Sequence, residues 1–472
     1  FYLTDISGAS YQPSEIVLQC KKVFKNIVAY DRFDFDAKKE SMYALRPAFD
    51  AVAEMLGRGE KVPESLLEVF SQITEYSAKM DSLKNARDKV PFKINESQNA
   101  ERLFGGNLSI SASQLEKFNL CRFSYFCNYG LNVRERQRAE INPMQYGTIV
   151  HYILERFFRE YSKEQYSVMD EDELSKIFST YISEYAAAHF GEVQTKQNSF
   201  MYRIKLILEN VLRLVKHTID ELTQSEFFVT DCELKIGEDV PSYTVVLPDG
   251  HKIAVCGSVD RVDIMQKNGT TYLRVIDYKT GSKEFKLSDV LYGINLQMLL
   301  YLHSIEVSGS DRYGDIIPAG ILYMPATVPY ISSDSLKSID KLPDELNKKL
   351  KMNGLLLKDT EIIHGMDKTD AATYIPVKIK AGEPVSSTSL ATLEEFGKIF
   401  QKVDMLIAEM GKNIYNGNIE ARPLKGGHDS CEYCPYDSVC AYRRSNPINC
   451  FSVDNKTVIE EITNEINGKE EE

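Results

Sequence analysis

The sequence predicts an α/β fold with a mixed sheet flanked by helices, and three observations indicate it. Apolar residues recur at helical spacing over 145–160. Two strand-like stretches flank an Asn268-Gly269 pair, which is typical of a β-hairpin. A further helical pattern over 291–303 precedes a buried-strand pattern over 319–324. A succession of helix, strands, helix and strand is typical of a layered α/β domain.

The first part of the chain is expected to be separate from this core. Residues 1–106 have mostly helical patterns and contain neither a glycine-rich phosphate loop nor a cluster of catalytic residue types. A break follows at Gly105-Gly106, after which Ser111 offers a cap for the next helix. We therefore predict a domain boundary after residue 106.

Beyond that boundary, helical patterns continue to about residue 222, and a strand pattern follows over 227–236. Residues 330–390 are polar and lysine-rich with weak periodicity, which favours an insertion or a peripheral lobe. A helix is predicted over 393–410. The acidic tail 451–472 is expected to be solvated or disordered.

The hairpin register brings two acidic side chains together. If Asn268 and Gly269 form a two-residue turn, Asp260 lies directly opposite Asp277 on the neighbouring strand. Like charges in that position are destabilising. Side chains alternate faces along a strand, so Lys279 shares the face of the two acids. A hard divalent cation bound by the carboxylate oxygens would resolve the conflict.

The competing interpretation is a surface hairpin whose acids are solvated, with Lys279 as their counter-ion. The same register sets Asp263 against Arg274 on the opposite face and Val262 against Val275 on the first. Apolar strands that deliver the acids to one end of a buried sheet favour the metal site.

The composition narrows the class of protein. The 472 residues carry a formal net charge of -13, which argues against non-specific coating of nucleic acid and leaves room for local basic surfaces. There is no signal-peptide layout and no apolar run long enough to cross a bilayer, so we expect a soluble, cytoplasmic protein without a membrane partner. Because the chain starts at Phe1, we expect a fragment of a longer polypeptide.

Three of the nine cysteines, Cys431, Cys434 and Cys440, lie within ten residues. Thiolates at this spacing favour zinc or an iron-sulfur cluster, and both need a fourth ligand. The candidates are His428, Cys450 and the distant Cys121. Spacing alone does not choose among them.

The motifs together resemble the C-terminal nuclease region of the AddB family, which belongs to the RecB-like branch of the PD-(D/E)XK nuclease superfamily. The resemblance covers roughly residues 107–445. Four motifs carry it in the family's order, and they are Gly147–His151, Gly257–Asp263, Ile276–Gly281 and Gln297–Tyr301.

This resemblance implies a PD-(D/E)XK nuclease core over 107–450 and a set of site residues. The expected metal ligands for Mg²⁺ or Mn²⁺ are His151, Asp260, Asp277 and the backbone carbonyl of Tyr278. The expected catalytic residues are Asp260, Asp277, Lys279, Gln297 and Tyr301. Lys279 would orient the attacking water or stabilise developing charge, and Gln297 and Tyr301 would position this end of the site or its DNA strand.

The family also has an iron-sulfur version with one cysteine before the nuclease core and three after it. That pattern maps onto Cys121, Cys431, Cys434 and Cys440. The resemblance therefore favours a [4Fe-4S] cluster over Zn²⁺ as the group that joins the two ends of the domain. Cys127 and Cys450 have no place in the pattern and are expected to be ordinary thiols.

The function that the resemblance implies is a metal-dependent DNA nuclease, with single-strand exonuclease activity. It would act in an AddAB-type helicase-nuclease that processes double-strand breaks for recombinational repair. The expected partners are DNA and an AddA-like subunit, with residues 1–106 as the helical end of a helicase-like module plus a linker. The alternatives are a stand-alone iron-sulfur exonuclease and a non-catalytic, cluster-bearing scaffold that binds DNA or its partner.

Overall fold

The structure is a computed structural model. The residues it describes are 15–24, 43–57, 60–87, 93–134, 143–195, 198–281, 284–327, 342–369, 371–386, 388–440, 442 and 447–470. The chain divides into two compact units, Phe1–Val90 and Pro91–Glu472.

The first unit is helical in its described parts, as the sequence predicted. Its helices are α1 Glu15–Val23, α2 Leu45–Gly57, α3 Glu64–Gln72 and α4 Thr74–Arg87. Phe49, Phe70 and Tyr76 form the aromatic centre of a small separate core, with ring centroids 4.8–5.5 Å apart.

The second unit has helices on a central sheet. Its helices are α5 Ser97–Phe104, α6 Ala112–Leu120, α7 Arg122–Tyr125, α8 Pro143–Glu160, α9 Lys163–Tyr166, α10 Glu171–Thr195, α11 Asn198–Thr223, α12 Gln297–Ser308, α13 Ser310–Tyr313, α14 Leu342–Leu350, α15 Thr360–Met366, α16 Leu393–Tyr415 and α17 Asn455–Glu470, with a π-helical turn Phe126–Gly130 and a 3-10 helix Leu287–Tyr292. Its strands are β1 Leu108–Ile110, β2 Phe228–Ile236, β3 Thr244–Val246, β4 Lys252–Val255, β5 Gly257–Lys267, β6 Thr270–Lys279, β7 Ile316–Pro325, β8 Asn353–Leu357, β9 Lys378–Lys380, β10 Glu383–Val385, β11 Leu390–Ala391, β12 Leu424–Gly426 and β13 Ile448–Cys450.

Six strands form the central sheet, in the order β11-β8-β7-β6-β5-β2. The β6–β7 and β8–β11 pairs are parallel and the other three pairs are antiparallel. Helix α8 contacts β2 and β5, while α12 contacts β6 and β7. The predicted mixed α/β sheet flanked by helices is therefore confirmed.

The hairpin β5–β6 has the predicted register. Asn268 and Gly269 both have positive φ, of 52° and 83°, as the central residues of a type I′ turn require. Val262 pairs with Val275 and Asp263 with Arg274. The paired ladder runs up to Arg261 and Ile276, immediately before the two aspartates.

The division between the units lies earlier than predicted. Helix α5, over 97–104, belongs to the second unit, where it contacts α16. The hydroxyl of Tyr415 donates to the carbonyl of Gly106, and Ile94 donates its backbone N–H to the carbonyl of Gly417. The Gly105-Gly106 break is thus a turn inside this unit, because long-range contacts outweigh the local signal.

The predicted insertion at 330–390 is partly a component of the central sheet. Residues 328–341 lie outside the described residues. Beyond them, β8 pairs with β7 and β11 pairs with β8. Leu355 and Leu356 of β8 are fully buried. Within the described part of this segment, only the β9–β10 hairpin lies outside the central sheet as a two-stranded sheet of its own, so a wholly peripheral lobe was a wrong expectation there.

The acidic tail is not disordered through its described part. Helix α17 lies at its centre, and Val458 and Ile462, one turn apart, are both fully buried. Lys402 of α16 is ion-paired with Glu465. The prediction relied on the net negative charge of the tail and missed the apolar stripe of α17 that packs against α16. Among the described helices, none is long and apolar enough to cross a membrane.

Candidate active site

Three carboxylates occupy neighbouring strands at one level of the central sheet. Asp260 on β5 lies just beyond the Arg261–Ile276 pair that ends the β5–β6 ladder, and Asp277 lies just beyond it on β6. On the other side of β5, Cys232 pairs with Arg261 and Leu234 with Val259, so Glu233 of β2 faces Asp260. The row of acids is therefore Glu233, Asp260 and Asp277.

His151 completes this row from helix α8. Its Nδ1 lies 3.6 Å from Glu233 Oε1 and 3.5 Å from Asp260 Oδ2. Its Nε2 lies 3.0 Å from the carbonyl oxygen of Tyr278. A carbonyl only accepts hydrogen bonds, so Nε2 carries the proton and donates it. In the neutral ring, this leaves the Nδ1 lone pair facing the two carboxylates.

Glu233 was not among the site residues predicted from the sequence. It has a φ of 51°, a left-handed conformation that is uncommon for a residue with a side chain. Ser258 donates a hydrogen bond of 2.7 Å to Glu233 Oε2. The signal was an acid on a predicted strand, but no tight turn joins β2 to β5, so its register could not be counted out from the sequence.

Lys279 joins the acidic row to helix α12. Its Nζ lies 2.6 Å from Asp277 Oδ2 and donates to Gln297 Oε1 at 3.3 Å. The same ammonium lies 5.6 Å from the centre of the Tyr323 ring. Gln297 is the first residue of α12, so the end of that helix places the amide beside the lysine.

Tyr301 lies one turn further along α12 and is buried. The charges of Asp260 and Asp277 act on its hydroxyl, and together with burial, the larger cause, they raise its pKa. A Cβ at Gly257 would lie 2.5 Å from the Tyr301 ring. The glycine that opens β5 therefore makes room for the tyrosine beside the acids.

Burial and charge perturb the ionisation of the site. Burial raises the pKa of Asp260, and the negative charge of Asp277 raises it further. Burial alone would lower the pKa of His151, but the hydrogen bond to Glu233 and the charge of Asp260 raise it. The hydrogen bond from His151 lowers the pKa of Glu233. A group of acids with opposed shifts is typical of a functional site.

The donor atoms fit a hard divalent cation. One oxygen each of Glu233 and Asp260 and one nitrogen of His151 lie within 4.8 Å of one another. Asp277 Oδ2 is buried and forms an ion pair of 2.6 Å with Lys279 Nζ. Carboxylate oxygens with one imidazole suit Mg²⁺ or Mn²⁺. The sequence-predicted ligands thus lie together, with Glu233 added and Asp277 engaged by the lysine.

The opposite face of the hairpin holds a buried ion cluster. Asp263 accepts two hydrogen bonds of 2.8 Å from Arg261 and one of 3.0 Å from Arg274. Glu221 of α11 accepts from both arginines, at 3.1 and 2.6 Å, and all four side chains are fully buried. Arg261 also donates to the hydroxyl of Tyr278 at 3.3 Å. The cluster links α11 to the strands that carry the acids.

The second predicted site brings four cysteines together. Cys121, Cys434 and Cys440 belong to one small buried cluster, and the charges of Cys121, Cys431 and Cys434 act on Cys440. Ser430 Oγ donates to the carbonyl of Leu120 at 3.0 Å, which joins segments 310 positions apart. Backbone amides of Ser124, Phe123 and Arg422 act to lower the pKa of the Cys121 thiol, against the larger effect of burial, which raises it. Amide donors to sulfur suit an iron-sulfur cluster.

The other two candidates for the fourth ligand, His428 and Cys450, have neighbours outside this cluster. His428 lies 3.4 Å from Asp289, and Cys450 packs with Ile294 and Leu424 in another cluster. Cys127, which has no place in the pattern, lies in the same cluster as Cys121. Burial raises the pKa of Cys127 to about 11, and the neighbouring cysteines contribute to the shift. Cys127 belongs to the π-helical turn that follows α7.

Comparisons with known proteins agree with this arrangement. Residues 109–441 match the family model of the PD-(D/E)XK nuclease superfamily. The chain is 31% identical over 466 residues to the AddB subunit of the ATP-dependent helicase/deoxyribonuclease of Clostridium acetobutylicum, covering 93% of this chain and 40% of the relative. The protein of the same name from Ruminiclostridium cellulolyticum is 30% identical, over 95% of this chain and 41% of the relative. The chain therefore spans about two fifths of these curated relatives.

Proposed function

This chain belongs to the PD-(D/E)XK nuclease superfamily, and we propose that it is a metal-dependent DNA nuclease that hydrolyses phosphodiester bonds at the row of acids. The observation that carries this proposal is the convergence of His151, Glu233 and Asp260, beside the Asp277–Lys279 pair. A like-charged row on one sheet face is costly unless a cation is bound there.

The protein groups take distinct parts in this mechanism. A divalent cation bound there would polarise the scissile phosphate and lower the pKa of a coordinated water. Glu233, Asp260 and His151 would hold the cation, with Asp277 as a further predicted ligand. The Tyr278 carbonyl, the remaining predicted ligand, accepts a hydrogen bond from His151 Nε2. Lys279, released from Asp277, orients the water or stabilises negative charge that develops on the phosphate.

Helix α12 supplies the positioning groups. Gln297 accepts from Lys279 at 3.3 Å, so it directs the ammonium toward the reacting phosphate. Tyr301 fills the space over Gly257 and borders both aspartates. We propose that this pair positions the end of the DNA strand that is cut.

The direct test is digestion of end-labelled single-stranded DNA by the chain in Mg²⁺ or Mn²⁺. Asp277→Asn and Lys279→Ala are each expected to reduce the rate by about a hundredfold or more, since each removes charge from the reacting centre. Lys235→Ala is the matched control, because Lys235 lies on β2 and is paired with the exposed Glu238. Equal rates in all four proteins would end the catalytic proposal.

A binding measurement separates the nuclease from a scaffold. Calorimetric titration with Mn²⁺ should show one site in the parent chain that is lost in Asp260→Asn and weakened in Glu233→Gln. A scaffold would bind DNA and give neither cation binding nor cleavage. Comparing single-stranded, duplex and circular DNA would reveal single-strand preference and the need for an end, which are the finer parts of this proposal.

We further propose a [4Fe-4S] cluster on Cys121, Cys431, Cys434 and Cys440. The support is the shared buried cluster of Cys121, Cys434 and Cys440, with Cys431 close enough for its charge to act on Cys440. Anaerobically purified protein should be brown, and Cys434→Ser should lose the visible absorption. Zinc in the purified protein, measured by elemental analysis, would support the alternative metal.

The larger assembly is also a proposal. The curated relatives are named as one subunit, AddB, of an ATP-dependent helicase/deoxyribonuclease. We propose that this chain is the nuclease-bearing part of such a subunit, that it pairs with an AddA-like partner, and that the assembly processes DNA double-strand breaks for recombinational repair in the cytoplasm. Co-purification of the full-length protein with such a partner, and its loss of end processing in Asp277→Asn, would test this.

A further inference from the structure

A second cavity lies away from the acidic row, between α6, the 3-10 helix, α16 and the β12–β13 pair. Its volume is about 400 Å³, near the lower end of the size range of ligand sites. Its walls combine apolar side chains with arginines, which is the composition expected of a site for a small amphipathic anion.

Two arginines, Arg122 and Arg422, line this cavity, and neighbouring carboxylates neutralise their positive charge only in part. Arg122 has a side chain only 15% exposed and contacts Glu409 at 3.2 Å, while Glu409 itself is 57% exposed. The Nε of Arg422 is buried and has no hydrogen-bond partner in the described part of the chain. A buried guanidinium nitrogen without an acceptor is costly. The Arg422 side chain also lines the cavity, so its positive charge favours an anion there.

The two guanidinium groups also repel each other. Both side chains line the same cavity, which brings two like charges together. A phosphate between the two arginines would remove this repulsion. Lys402, the other cation of the wall, is already ion-paired with Glu465.

Apolar side chains form part of the remaining wall, which also includes Asn119 and the ion-paired carboxylates of Glu409 and Glu465. Phe118 and Leu424 are buried, and Leu291, Leu406 and Ile448 line the same space. An inorganic anion would leave this surface uncovered, whereas a sugar and base would cover it. The chemistry of the wall therefore fits the phosphate and the nucleoside of one nucleotide.

The cavity lies next to the cysteine site, because its two arginines are close to Cys121. Arg122 directly follows Cys121 in the chain, and the backbone of Arg422 lies close enough to act on the Cys121 thiol. Any group that draws the two arginine side chains together acts on the segments that hold Cys121. Binding in the cavity and the state of the cysteine site should be coupled.

We propose that this cavity binds one nucleotide through its phosphate, with Arg122 and Arg422 as the phosphate ligands and the apolar wall as the nucleoside surface. The phosphate comes either from the end of a DNA strand or from a free mononucleotide. The choice of a nucleotide as the ligand rests on the proposed nuclease function, but the site is formed by residues that take no part in the chemistry at Asp260 and Asp277.

The test compares two short single-stranded oligonucleotides that differ only in a 5′-phosphate or a 5′-hydroxyl, each labelled at the other end. Fluorescence anisotropy is measured on the full chain without added divalent cation, so that no cleavage occurs. We expect the phosphorylated strand to bind about tenfold tighter or more, as charge-assisted contacts to two arginines predict. Arg122→Gln and Arg422→Gln should each remove most of that preference.

Matched variants keep the result interpretable. Arg102→Gln removes an exposed arginine of α5 outside the cavity and should keep the preference. Arg422→Lys keeps the charge with fewer donors and should retain part of it. Asp277→Asn should keep it fully, so a failed nuclease proposal and a failed cavity proposal are distinguishable. Thermal unfolding of each variant shows whether it is folded.

Competition identifies the source and completes the test. If deoxyadenosine monophosphate displaces the strand at the strand's own affinity, a free nucleotide is the ligand; if it displaces it only at much higher concentration, a strand end is. Both results support the cavity. Inorganic phosphate competing as well as the mononucleotide would overturn the role of the apolar wall. Equal binding of both strands by the parent chain, or an unchanged preference in the Arg122 and Arg422 variants, would overturn the proposal.

Discussion

Replacing Asp260 with Asn is expected to stabilise the fold in the absence of divalent cations, although Asp260 belongs to the proposed active site. Its side chain is only 10% exposed, and burial and the charge of Asp277 raise its pKa from 3.8 to about 7. A carboxyl with a raised pKa in the fold destabilises it at any pH where the ionised form is present. Substitution with a neutral amide removes that cost.

The size of the effect follows from the shift. A rise of about three units corresponds to a cost of about 4 kcal/mol at pH values above the raised pKa. Asn keeps an oxygen that accepts the backbone N–H of Tyr278, at 2.9 Å in the parent, but it loses the attraction to His151. We therefore expect a net gain of about 1–3 kcal/mol.

The neighbouring Asp263 is the matched control on the same strand. It is fully buried too, but Arg261 and Arg274 bind it and hold its pKa low against the opposing effect of burial. Asp263→Asn leaves buried guanidinium charge without its partner and should cost about 3–5 kcal/mol. Two Asp-to-Asn substitutions three residues apart should thus have opposite signs.

Urea denaturation at about pH 8 with a chelator measures both changes. Adding Mn²⁺ should stabilise the parent chain and leave Asp260→Asn unaffected, because that variant lacks the charge that holds the cation. A loss of stability of similar size in both variants would refute the reasoning. It would mean that the fold stabilises the ionised carboxylate of Asp260 as well as that of Asp263, so that no electrostatic cost is left for a cation to offset.

Three further outcomes are expected. The stabilisation by Mn²⁺ should grow as the pH rises from about 6 to about 9 in thermal unfolding, because raised pKa values near 7 for Asp260 and near 9 for His151 mean that both must lose protons to bind it. Gly257→Ala should cost about 1–3 kcal/mol and slow DNA cleavage, since its Cβ would displace the Tyr301 ring. Ile462→Ala should cost about 2–4 kcal/mol in urea denaturation, because the α17 side chain is fully buried.

Each of these outcomes has a control and a contrary result. The Mn²⁺ effect should be absent in Asp260→Asn at every pH, and a pH-independent effect in the parent would contradict the titration. Gly281→Ala meets no atom within 4 Å and should be neutral; an equal loss in both glycine variants would argue against the steric explanation. Glu461→Ala removes an exposed neighbour of Ile462, and equal stability of all three proteins would show that α17 does not support the fold.

The hairpin was predictable because its information is local. Asn268 and Gly269 provide the positive φ values of a tight turn, and from that turn the register can be counted without knowing the rest of the fold. The predicted register gave the pairs of Val262 with Val275 and of Asp263 with Arg274, and it placed Asp260 and Asp277 next to the end of the ladder. The superfamily assignment was predictable for a related reason, since its motifs are short segments in a set order.

The errors arose where long-range packing outweighed composition. Gly105-Gly106 has the sequence of a linker, yet Tyr415, 309 positions away in the chain, donates a hydrogen bond to the carbonyl of Gly106. The tail is acidic in total, but Val458 and Ile462 are spaced to bury one helical face. Apart from these errors, long-range packing also places Cys127, which has no place in the cysteine pattern, in the same buried cluster as Cys121.

By itself, the sequence determined the fold class, the hairpin that carries Asp260 and Asp277, and the family of the chain, because turns, strand alternation and short motifs are local properties. Only the tertiary structure decided that Glu233 joins that row, that Lys279 is held between Asp277 and Gln297, and that two arginines meet in a cavity beside Cys121. These pairings join segments without a short turn between them. Their geometry depends on how the whole core packs, and that is not a local property of any segment.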